Sequence, residues 1–128
     1  MARRASVALA LLGAAATVLA GPPPDRARGE IAALVEALGR SGCQFERNGR
    51  WHDAEAARTH LERKYAAALE RGAPVSTEAF IDRVAARSSI SGREYRVRCP
   101  GAAVTTSRAW LGAERVRLRA GAARAATD

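Results

Sequence analysis

A chain of 128 residues has room for one domain with a single modest core. Its 21 basic and 13 acidic residues leave a formal charge of +8, which suits an anionic partner or a surface solvated by arginine. The charges of both signs are interleaved, aromatic residues make up only 5% and no recognised nucleic-acid module is present, which excludes nucleic acid as the expected partner.

Met1-Ala2-Arg3-Arg4-Ala5-Ser6 forms a basic n-region. Residues 7–19 are an uncharged apolar run, and Val18-Leu19-Ala20 offers compact residues to a signal peptidase. The run is shorter than the about 20 residues a membrane span requires, and no cysteine follows it closely enough for a lipid anchor. The expectation is a cleaved signal peptide over 1–20, a periplasmic or secreted address and no transmembrane segment after cleavage. Without Arg3 and Arg4, 19 basic residues face 13 acidic ones, a mature charge of +6. Gly21-Pro22-Pro23-Pro24 cannot be helical, so residues 21–29 read as an extended leader, 30–119 as one domain and 120–128 as a frayed tail.

Glu30 opens the first expected helix, in which Ile31, Leu34, Val35 and Leu38 fall at i, i+3, i+4 and i+7. Residues 43–47 alternate, with Cys43, Phe45 and Arg47 on one face. Asn48-Gly49 then signals a two-residue hairpin, and residues 50–52 form a short return strand. Asp53 caps a helix from 54 to about 70, whose apolar face includes Ala57, Leu61 and Tyr65. Ser76 or Thr77 caps a third, with Phe80, Ile81, Val84 and Ala85 inward. Residues 95–99 alternate again, placing Tyr95, Val97 and Cys99 on one face. A last helix runs from 107 to about 119, anchored by Trp110, Leu111 and Leu118. Trp51 and Trp110 are expected as core anchors. Together these elements predict an α+β domain: about four helices on one side of a two- or three-stranded antiparallel sheet.

Two cysteines in an exported chain are expected to form one disulfide. Pairing Cys43 opposite Cys99 also sets Phe45 opposite Val97 and Arg47 opposite Tyr95. The apolar residues then meet, and an arginine can lie over an aromatic ring.

Four strings carry a family resemblance: Phe45-x-Arg47-Asn48-Gly49, then Glu55-Ala56-x-x-x-His60-Leu61-x-x-Lys64, then Thr77-Glu78-Ala79-Phe80-Ile81-Asp82-x-Val84-Ala85, and last Ser88-Ser89-x-Ser91-Gly92-x-x-Tyr95. Their order and spacing over residues 30–111 resemble the YfeK-like family of small exported bacterial proteins. That resemblance implies an exported domain of unknown function and specifies no chemistry.

The polar residues in these strings are Arg47, Asn48, His60, Lys64, Ser88, Ser89 and Ser91, and they are the candidate ligand-binding set. His60 and Lys64 lie one helical turn apart on the shoulder of the Leu61 stripe. They could bind an anion, or act as base to a serine. Alternatively, His60 is a half-buried structural group, Lys64 lays its methylenes along the core edge and the serines cap turns. The two histidines lie on different elements and the cysteines are paired, so no metal site is expected, and nothing calls for a cofactor. The functional expectation is a non-catalytic binding or envelope-associated protein, its partner an envelope protein or a small anionic ligand. The alternative is a small hydrolase using a serine with His60 or Lys64.

Overall fold

The structure, a computed structural model, describes residues 13–14, 24–74 and 76–127. The expected signal peptide and most of the proline leader therefore lie outside the described residues. Among these residues no helix is long and apolar enough to cross a membrane.

The first helix, α1 (Asp25–Gly39), begins five residues before Glu30. Ala27 is buried one turn ahead of Ile31 and extends the apolar stripe, and Asp25 occupies the first turn, where it complements the helix dipole. Residues 25–29 are thus helix and not leader. Strands β1 (Gln44–Arg47) and β2 (Arg50–His52) form the hairpin, with Arg47 paired to Arg50. Asn48 at φ 50° and Gly49 at φ 81° both take the left-handed region that a type I′ turn demands. Helix α2 (Ala54–Glu70) is capped by the Asp53 carboxylate, which accepts from the Ala56 N–H at 2.8 Å.

Helix α3 (Thr77–Ala79), capped by Ser76, passes directly into a π-helical stretch over Phe80–Ala85. Phe80, Ile81, Val84 and Ala85 all face inward, as the spacing predicts, although the widened turn was not legible from it. Strand β3 (Arg96–Arg98) pairs with β1 and with an unexpected fourth strand, β4 (Thr105–Thr106). The antiparallel sheet therefore has four strands in the order β2-β1-β3-β4, one more than expected. Thr106 belongs to β4 and also accepts from the Ala109 N–H, which starts α4 (Ser107–Thr127). This helix continues through the expected frayed tail, because five alanines between 120 and 126 carry high helix propensity.

The helices cover one face of the sheet. Phe45 and Val97 are opposed in register on that face, and Trp110 packs edge-on to Phe45 with ring centroids 5.9 Å apart. The open face carries Gln44, Glu46, Arg96, Arg98 and Trp51. Arg96 donates to both carboxylate oxygens of Glu46, and Arg98 lies 4.2 Å from the Trp51 ring centre. Trp51 is thus a half-buried platform under an arginine and not the expected core anchor. Three helices meet at Arg119 of α4. It donates to Glu30 of α1 at 2.8 and 2.9 Å and pairs with Glu78 of α3, while the Thr77 hydroxyl donates to Glu30. These bonds, that from Arg119 foremost, hold the Glu30 carboxyl down at about 2.

Cys43 and Cys99 are joined, with Cα atoms 4.2 Å apart, at the end of the β1–β3 pair remote from the hairpin turn. The sequence separation is 56, for which the chain-entropy account gives about 4 kcal/mol as an upper figure. Replacing both cysteines by alanine is expected to lower the unfolding free energy in urea by about 2–4 kcal/mol. A loss below about 0.5 kcal/mol, the range of ordinary surface changes, would mean the strands hold their pairing without the bridge.

Candidate functional site

Arg47 is the last residue of β1 and points to the helix-covered face, as its alternation with Phe45 requires. His60 and Lys64 come from successive turns of α2, both half-buried beside Leu61. Tyr95 stands just before β3 and is 6% exposed. Its position is fixed by its own backbone: the N–H donates to the Ala86 carbonyl and the C=O accepts from Ser107, both at 2.9 Å.

These four side chains form one hydrogen-bonded chain. Arg47 Nη1 lies 2.6 Å from His60 Nδ1 and 3.3 Å from Nε2. A guanidinium can only donate, and the nearer nitrogen, Nδ1, is assigned as the acceptor, which places the imidazole proton on Nε2. Nε2–H then donates to Tyr95 Oη at 3.1 Å. Lys64 Nζ donates to the same oxygen at 3.0 Å and to the Arg87 carbonyl at 2.6 Å. The phenol oxygen thus accepts twice, and its own proton has no acceptor among the described residues. The expected stacking of Arg47 on Tyr95 is not formed: Arg47 turns to His60, and Lys64 lies 4.7 Å from the Tyr95 ring centre instead.

The charges follow from burial. Desolvation, reinforced by Arg47 and Lys64, pushes the His60 imidazole down to about 4, so it is neutral at pH 7. Desolvation and Arg47 bring the Lys64 amine down to about 8. Burial raises the Tyr95 phenol above its ordinary range. Arg47 and Lys64 pair with no carboxylate among the described residues. Beside Arg47, His60 and Tyr95, and not bordered by Lys64, opens a cavity of about 270 Å³. Arg47, His52, Thr59, His60, Arg63 and Tyr95 give it a donor-rich side, and Leu38, Phe45, Ala57 and Leu61 an apolar one.

The remaining candidates lie elsewhere. Ser88 is buried and its hydroxyl accepts from the Ile90 and Ser91 N–H groups, which shapes a turn. The Ser91 hydroxyl donates to Asn48 Oδ1 at 2.7 Å and ties that turn to the hairpin. Ser89 is exposed. None of the three hydroxyls bonds to His60 or Lys64, so the serine–base pair that a hydrolase needs is not assembled. Four groups were missed: Tyr95, taken as strand core, and His52, Thr59 and Arg63 on the cavity wall. The available signal for Tyr95 was its place opposite Arg47. His52 and His60 border the same cavity, although no group of three or more potential metal ligands occurs among the described residues.

Chemically the site is rich in hydrogen-bond donors. At neutral pH the imidazole is uncharged, the phenol is un-ionised and the amine is largely protonated. Such an array can hold a negative charge.

The neutral imidazole has a consequence for stability. The unfolded chain takes up the His60 proton near pH 6.5 and the folded one near 4. The stability this group contributes is therefore complete above about pH 6.5 and is lost as the pH falls toward 4. The thermal midpoint of the protein is expected to fall across that window, and more steeply than that of His60→Gln. Equal slopes for the two proteins would mean that the imidazole titrates alike in the folded and unfolded chain.

A family model described as a family of unknown function, DUF5329, matches residues 25–119. The match begins at the first residue of α1 and ends at Arg119, and so encloses every residue of the site. No curated protein and no solved structure matches the chain. By that match the chain belongs to the DUF5329 family of unknown function.

Proposed function

We propose that this chain is an exported, non-catalytic binding domain that holds a small anionic ligand at the cavity lined by Arg47, His60 and Tyr95. The observation that carries the proposal is Arg47, a half-buried cation on the cavity wall without a carboxylate partner among the described residues, with Lys64 as a second such cation behind Tyr95. Elsewhere Arg96 and Arg119 each meet a glutamate, whereas Arg47 and Lys64 meet only neutral groups. A half-buried positive charge without a counter-ion is held at a cost, and an anion would relieve it. The export half is supported by the basic and apolar N-terminal pattern, by the resemblance to YfeK-like exported proteins and by a disulfide, which persists in oxidising compartments.

Calorimetric titration of the mature protein with sodium acetate and inorganic phosphate, at low ionic strength to limit screening, tests the binding half. Arg47→Gln, with its fold checked by circular dichroism, is expected to bind either anion about 10–100-fold more weakly, the span of one charge-assisted hydrogen bond. Equal affinity in the variant, or no anion binding by the folded parent, would overturn the assignment. N-terminal sequencing of the envelope-recovered product tests export, and a chain still starting at Met1 would overturn cleavage after Ala20.

A further inference from the structure

Resting on that anion site, the geometry points to a more specific ligand class: we infer that the cavity takes a short-chain carboxylic acid, its carboxylate on Arg47 and its apolar chain against Leu38, Phe45 and Leu61.

Three observations favour this class over a free inorganic anion. The first is the wall. Leu38, Phe45 and Leu61 line the cavity and offer no polar atom to hold a solvating water. A hydrated ion would leave that wall in contact with water, whereas an alkyl chain covers it. The second is the charge and shape of the head site. Arg47 has one nitrogen engaged by His60, and the rest of its planar fork has no protein partner among the described residues. A fork of this kind matches the two oxygens of a carboxylate. Lys64 is tied to Arg87 and Tyr95, which leaves Arg47 as the half-buried cation free to take a single negative charge. The third is size. About 270 Å³ lies just under the roughly 300 Å³ at which drug-sized ligand pockets begin, so a short chain fits and a long one does not. Glu46 also touches the cavity wall, but its carboxylate is bonded to Arg96 on the open side of the sheet and does not oppose the head.

The test is a calorimetric series with sodium acetate, butanoate, hexanoate and octanoate, with 1-octanol as the uncharged control. Affinity is expected to rise up to about fourfold for each methylene buried, which corresponds to about 0.8 kcal/mol, and to level off once the cavity is full. Ala56 is exposed on α2 and borders the cavity, so Ala56→Leu is expected to fold normally and to lose most of the gain in affinity with chain length. Equal affinity for acetate and octanoate would overturn the apolar-chain inference and leave the anion site standing. Octanol binding as tightly as octanoate would overturn the role of the carboxylate and with it the anion site. No binding of any carboxylate by the folded protein would overturn both.

Discussion

The site depends on the antiparallel pairing of β1 with β3. Phe45 opposes Val97, and because side chains alternate along a strand, that register sends Cys43, Arg47 and Tyr95 to the same covered side. A slip by one residue would turn Arg47 out to solvent and leave His60 without its donor. Local features hold both ends of the pair. At one end Asn48 and Gly49 adopt the positive φ values of a tight turn. At the other the disulfide joins the residues that flank the two strands. Helix α2 then needs only to pack Leu61 against this face to bring His60 and Lys64 to the Tyr95 hydroxyl.

The abundance of arginine has two meanings in this chain. Arg96 and Arg119 are neutralised by glutamates, and Arg98 is bonded to Gln44 over the Trp51 ring. These are structural uses, and most of the net positive charge belongs to a solvated surface. Arg47 and Lys64 differ because both are half-buried and both donate only to neutral acceptors. The electrostatic consequence falls on His60, whose ring stays uncharged because burial and two cations act in the same direction. A histidine held in this way orients the Tyr95 phenol.

The sequence made local and parity-based features readable. The α1 stripe, the Asn48-Gly49 turn, the Ser76 cap and the Cys43–Cys99 pairing each follow from spacing within one or two elements. Features that depend on tertiary choice were not readable. Two threonines, 105 and 106, become a strand only because β3 presents a free edge. The π-helical turn leaves the inward set of Phe80, Ile81, Val84 and Ala85 unchanged, so periodicity carries no trace of it. Of the site, His60, Lys64 and Arg47 were legible as candidates from their residue types and spacing. The hydroxyls of Ser88 and Ser91 close turns, and a hydroxyl that closes a turn is indistinguishable in sequence from one that faces a cleft. Tyr95 was hidden by its aromatic ring, which fits a core as well as it fits a hydrogen-bonded post.

The central claim is that the Arg47 guanidinium is held against the Nδ1 edge of a neutral His60 ring, which carries its proton on Nε2. Long-range proton–nitrogen correlation NMR of the mature protein at pH 6–7 measures this directly. The account predicts a neutral His60 ring protonated on Nε2, with Nδ1 unprotonated. A proton on Nδ1, or a doubly protonated ring at that pH, would contradict it.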